Sequence, residues 1–142
     1  MTAMPATRHR SRSALLRDPA IVGGLGLGAA ALLHVRDPHD SGSYGYCPFL
    51  SVTGLPCPGC GGLRAVNDLS RGDVGAALGS NVLAVVLVAV LAVGWLVWVV
   101  RRWRGQDVAM IQLSTRAAYV VVPLIVAFGV LRNTPWGAWL AP

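Results

Sequence analysis

The chain has 142 residues, 54% of them hydrophobic and only 13% charged, with a mean hydropathy of +0.57. Average soluble domains carry about 25% charged residues, so this composition excludes an ordinary soluble fold, and the length fits one domain. The formal charge of +6 comes from twelve arginines against six aspartates. The arginines border apolar segments and do not alternate with stacking aromatics, which speaks for membrane orientation and against nucleic acid as a partner.

Residues 1–18 read as a disordered basic leader, and residues 19–142 as a membrane domain. The first apolar run, 19–35, would span about 25 Å, short of a hydrocarbon core of about 30 Å. Pro19 suits a first helical turn, where its missing N–H costs nothing. Ala20, Gly24 and Gly28 recur every four residues, a small-residue face suited to close packing by a second copy or another membrane protein. A rival reading takes this region as a cleavable signal peptide.

An outer loop follows, 36–81. Its turn-rich start leads to "CPFLSVTGLPCPGCGGLRAV", which holds every cysteine of the chain: Cys47, Cys57 and Cys60. After Gly62 the spacing of Leu63, Val66 and Leu69 predicts a short amphipathic helix. Asp73 is placed to cap a second one, with Val74, Ala77 and Leu78 on one face. Both are expected at the outer interface, with the cysteine turn capping the mouth of a bundle.

Residues 82–100 hold nineteen residues without a charge, the clearest span. Ser80 or Asn81 can cap its start; Arg101, Arg102 and Arg104 close it, beside an interfacial belt of Trp95, Trp98 and Trp103. The third segment, 112–131, carries Pro123 and would have Arg116 snorkelling to the inner interface, with a re-entrant path as the alternative. Trp136 and Trp139 would anchor its far end. Arginine density then gives the orientation. The leader (Arg8, Arg10, Arg12, Arg17) and the loop after the second span are rich, whereas the outer loop has Arg36, Arg64 and Arg71 against four Asp. The positive-inside rule places the N-terminus inside, with the cysteine loop and C-terminus outside. The expected fold is an all-α membrane protein of three transmembrane helices with a cysteine-bearing, partly helical extracytoplasmic loop.

Three chemistries compete for the turn. A structural disulfide is permitted outside the cytoplasm, though three thiols leave one odd. Redox catalysis would use Cys57 as attacking thiolate and Cys60 as resolving partner, but the motif lacks a βαβ setting. Metal binding would use Cys47, Cys57 and Cys60, with His34 or His39 as the fourth ligand zinc calls for.

The run from Cys47 to Asn81 resembles the bacterial DUF2752 family of small membrane proteins. The resemblance rests on Cys47, Pro48, Thr53, Gly54, Cys57, Pro58, Cys60, Gly61, Arg64, Gly72, Asp73 and Asn81, and on "RNTP" from Arg132 to Pro135. Two positions depart from the pattern: Leu63 stands where a Thr is common, and Val82 where a Pro is. The resemblance implies an integral membrane protein and supplies no reaction. Arg64, Asp73, Asn81 and Arg132 are grouped as a polar cluster near the outer interface, with an Arg132–Asp73 pair across the mouth as one form and an ordinary solvated cap as the other.

The leading expectation is a non-enzymatic membrane module in the bacterial cytoplasmic membrane. Its cysteine turn is held by disulfide or zinc, and its partners are the bilayer and a second copy or another membrane protein. The alternative is a membrane thiol–disulfide oxidoreductase using Cys57 and Cys60. A transporter is disfavoured, because no span carries a buried acid or His pair.

Overall fold

The computed structural model describes residues 11–40, 42–111 and 115–140, and all regular structure within them is helical. The elements are α1 (Arg12–Val35), α2 (Pro48–Thr53), α3 (Gly62–Ser70), α4 (Val74–Trp103), α5 (Thr115–Leu131) and a closing 3-10 turn (Ala138–Leu140). α1 and α4 are long and apolar enough to cross a membrane, and α5 is a shorter apolar helix of 17 residues. Their flanks stay uncovered: Leu25, Leu27, Val90, Val93, Val120 and Leu124 are all at least 60% exposed. Apolar surface on that scale requires a non-aqueous surround or partners.

α1 starts earlier than the sequence suggests. Ser11 caps it, its Oγ accepting from the Ala14 N–H at 3.4 Å, so residues 12–18 are helix and not disordered leader. Residues 1–10 lie outside the described residues. Pro19 therefore sits inside the helix, where its missing N–H leaves the Leu15 carbonyl without its usual donor. Arg102, near the end of α4, supplies one: its Nη1 reaches Leu15 O at 3.4 Å. The same guanidinium pairs with Asp107 at 3.1 Å and Asp18 at 3.5 Å, and its Nε donates to Val108 O. Arg102 is thus buried and committed, not a free interfacial charge. The side chain of Arg116, expected to snorkel, lies outside the described residues.

α1 and α4 run antiparallel in close contact. Trp95 Nε1 donates to Pro19 O at 2.9 Å, and its ring covers Gly23, where an added Cβ would meet Trp95 Cζ2 at 2.6 Å. The small residue that α4 uses is Gly23. Ala20, Gly24 and Gly28 stay exposed, with nothing within 4 Å of a Cβ at either glycine. Trp98 donates to Val108 O at 2.7 Å, so two of the three belt tryptophans are spent on internal bonds.

α4 is two helices in one. Asn81 breaks it with extended backbone (φ −168°, ψ 103°). Asp73 caps the short first piece through the Ala76 N–H at 2.8 Å, and Asn81 Oδ1 caps the long second piece through the Ala84 N–H at 2.9 Å. From 82 to 103 the second piece spans about 33 Å, close to a hydrocarbon core.

α3 inverts the expected amphipathic order. Its buried residues are Ala65, Asn67 and Asp68, while Leu63 is 48% exposed. The polar face turns inward because it has partners there. Asn67 Nδ2 donates to Leu33 O, at the end of α1, and Asp68 accepts from Ser80 Oγ at 2.7 Å. The second short helix is mixed, with Ala77 buried and Val74 and Leu78 outward.

Candidate metal centre

The cysteine turn is assembled by local rules. Cys47 sits at the N-cap of α2 with Pro48 as first helical residue. Thr53 and Gly54 end that single turn and a half: Thr53 Oγ1 bonds back to Phe49 O, and Gly54 takes a left-handed conformation (φ 71°) that side chains avoid. The chain then reverses into Cys57–Cys60, closed by the Cys60 N–H on Cys57 O at 3.1 Å. Gly61, at φ 81°, swings the backbone into α3.

This brings the three sulfurs together. Cys57 Sγ lies 3.2 Å from Cys60 Sγ and 3.5 Å from Cys47 Sγ, and all three fall within 4.8 Å of one another. All are free thiols. The Cys57 N–H points at Cys60 Sγ from 3.2 Å, a backbone donor suited to a sulfur carrying negative charge. The thiols differ in acidity. The Leu50 N–H at the start of α2, then the neighbouring Cys57 thiol, lower Cys47 below the ordinary thiol range. Burial, reinforced by the two neighbouring thiols, pushes Cys60 up to about 12.

The turn is clamped from behind by α4 and by the chain leaving α5. Asn81 Nδ2 donates to Pro58 O at 2.9 Å and Cys60 O at 2.8 Å. Arg132 Nη1 donates to Cys57 O at 2.8 Å and Cys60 O at 3.2 Å. Asn133 Nδ2 reaches Pro56 O at 3.0 Å, and the Pro58 ring lies on Gly129, where a Cβ would stand 2.8 Å from its Cγ. Arg132 is 2% exposed, with its guanidinium over the Phe128 ring, and its Nε and Nη2 have no hydrogen-bond partner among the described residues. A buried cation therefore sits against the backbone of the turn that carries Cys57 and Cys60.

The polar cluster drawn from the sequence therefore divides. Asn81 and Arg132 meet at the turn. Asp73 is an N-cap on α4, and the Arg132–Asp73 pair is replaced by Arg132 on backbone carbonyls. Arg64 reaches Pro38 O through Nε at 3.4 Å, on the open side of the turn. The histidines proposed as fourth ligand go elsewhere. His34 Nδ1 bonds Ser70 Oγ at 2.9 Å, and His39 sits between Asp37, at 2.8 Å, and Asp68, at 3.4 Å. Arg71 joins that second group through Asp37 at 3.1 Å and Asn67 at 2.9 Å. Among the described residues, no His or carboxylate joins the three sulfurs.

Asn67, Asp68 and Gly129 are not singled out by the sequence, and Asn133 enters it only as part of the "RNTP" resemblance. An "ND" pair inside an apolar-spaced helix was the available signal for the first two, since a polar pair interrupting such a helix needs partners. Gly129 carries no signal before the fold brings it to the turn.

Chemically, three clustered thiols suit a soft or borderline cation such as zinc or Cu(I). Tetrahedral zinc with bonds of about 2.3 Å holds sulfurs about 3.8 Å apart, a small expansion of the triangle. The Cys57–Cys60 pair keeps the spacing of a redox motif, but the thiol whose acidity the fold increases is Cys47, outside that pair.

Residues 47–95 match the model of the family DUF2752, described as a protein of unknown function. The cysteine turn, Asn81 and much of the long piece of α4 lie within the match; the "RNTP" segment lies beyond it. No curated protein and no solved structure matches the chain.

Proposed function

We propose that this chain is a polytopic membrane module whose outer mouth carries a three-thiolate site for a cation of the zinc class. The observation that carries the reading is Arg132. Zinc bound by three thiolates has one net negative charge, which the buried guanidinium balances. A disulfide between two of the cysteines would leave only the third thiol to offset Arg132, and only by ionising without a metal, whereas a buried cation without a counter-charge is costly. The thiol–disulfide oxidoreductase reading has no comparable support.

In the bilayer, α1 and the long piece of α4 cross, and the shorter α5 is the third span. The arginine asymmetry supports the N-terminus inside and the cysteine turn and C-terminus outside the cytoplasmic membrane. The uncovered face of Ala20, Gly24 and Gly28 supports association with a second copy or another membrane protein.

The test is metal content and thiol state on protein extracted in detergent without reductant. One zinc per chain, with all three cysteines alkylated only after a chelator is added, supports the site. Two cysteines released only by reductant would replace it with a disulfide. Labelling of metal-stripped intact spheroplasts by a membrane-impermeant maleimide tests the orientation; no labelling until lysis would reverse it.

A further inference from the structure

Zinc takes four ligands, and the turn supplies three. The back of the triangle is closed by Asn81, Arg132 and the Pro58–Gly129 contact. On the other side, Cys47 and Cys60 line a cleft of about 490 Å³ between residues 38–40 and 42–47 and the start of α3. That volume suits a small molecule and not a protein segment. Tyr44, Tyr46, Arg64 and one acid, Asp40, share its wall. Among the described residues Arg64 makes one long bond, from Nε to Pro38 O at 3.4 Å, and its terminal nitrogens are the groups a ligand would meet. The first helical bond of α3 runs from the Ala65 N–H to Gly61 O, so the Leu63 and Arg64 N–H groups before it lack helical acceptors, as at any helix start. Positive donors and an open coordination position thus face the same cleft.

We infer that the fourth ligand is a small thiol bearing a carboxylate, which enters by this cleft and places its sulfur on the metal and its carboxylate against Arg64. The inference rests on the metal reading above. In the binding step the thiol gives its proton to bulk water, its sulfur lone pair occupies the fourth position, and the water held there leaves. No electrons change hands.

The experiment uses the full-length protein in detergent, loaded with Co(II) as a spectroscopic stand-in for zinc. Thiolate-to-cobalt charge-transfer bands report the three protein sulfurs, and the d–d bands report the fourth position. Mercaptoacetate is expected to shift the d–d bands saturably while the protein's charge-transfer bands persist. It should bind roughly fivefold more tightly than ethanethiol, an advantage lost in Arg64→Ala, as suits an exposed ion pair. Acetate alone should leave the bands unchanged. Absence of charge-transfer bands on cobalt loading would defeat the three-thiolate reading itself, and this inference with it. Normal loading with d–d bands indifferent to mercaptoacetate would overturn only the open fourth position. So would removal of the cobalt by the thiol. Equal binding of the two thiols, or an unchanged preference in Arg64→Ala, would overturn the carboxylate contact.

Discussion

Arg132 Nη1 lies 2.8 Å from the carbonyl oxygen of Cys57, joining residues 75 apart and tying the end of α5 to the cysteine turn. The bond holds the turn, while Nε and Nη2, without a hydrogen-bond partner among the described residues, keep a buried positive charge near Cys57 and Cys60. Arg132→Gln keeps one amide donor and removes the charge. Zinc affinity should fall by about tenfold to a hundredfold, the worth of a charge-assisted contact of about 1.5–3 kcal/mol. Competition with a chromophoric chelator measures it; undiminished affinity would show that charge balance is not the reason for this arginine.

Asn81 acts in two directions. Its oxygen caps the long piece of α4 and its amide nitrogen holds two carbonyls of the turn. Asn81→Ala loses both and should destabilise by about 2–3 kcal/mol, a cap plus two hydrogen bonds. Asn81→Asp keeps the cap but sets a carboxylate against Pro58 O and Cys60 O. Its melting temperature should therefore lie no higher than that of Asn81→Ala, despite the preserved cap. A melting temperature near wild type for the aspartate variant would mean that the capping bond alone matters.

What was legible in the sequence follows from which signals are local. The long piece of α4 announces itself by an uninterrupted apolar run, and the caps at Asp73 and Asn81 by residue type and position. The cysteine cluster was legible because Thr53-Gly54 and the Cys57–Cys60 turn are short-range devices. The inward polar face of α3 was not legible, since Asn67 is satisfied by a carbonyl 34 residues away. Nor was the start of α1: Pro19 looks like a helix opening until Arg102, far along the chain, takes up the carbonyl it frees. The choice of Gly23 over Gly24 depended on where Trp95 falls, which spacing alone leaves open.

That choice gives a paired prediction. Gly23→Ala forces a Cβ into the Trp95 ring at 2.6 Å and should cost about 1–3 kcal/mol through overpacking between α1 and α4. Gly24→Ala meets nothing within 4 Å and should be neutral or stabilising by up to about 1 kcal/mol from helix propensity. Thermal unfolding of both in detergent decides it. Equal destabilisation would mean that the 20–24–28 face is packed against another copy even there, and crosslinking would then be expected to show it.

The acidities of the thiols set the pH dependence of metal binding. Cys60, held up at about 12, is protonated throughout the neutral range, so zinc must displace its proton. Cys47, lowered by the Leu50 N–H, reaches its thiolate earlier and opposes the metal less as pH rises. The sign follows: protons compete with metal, so affinity increases with pH. Cys60 alone gives a slope of about tenfold per pH unit between 6 and 8, and any other thiol still protonated adds to it. In Cys60→Ser the remaining site should bind far more weakly and lose that unit of slope. Zinc titrations at pH 6, 7 and 8 against a chelator of known pH behaviour measure both. A wild-type affinity flat across that range would mean that Cys60 is already a thiolate, held so by Arg132 more strongly than burial opposes it.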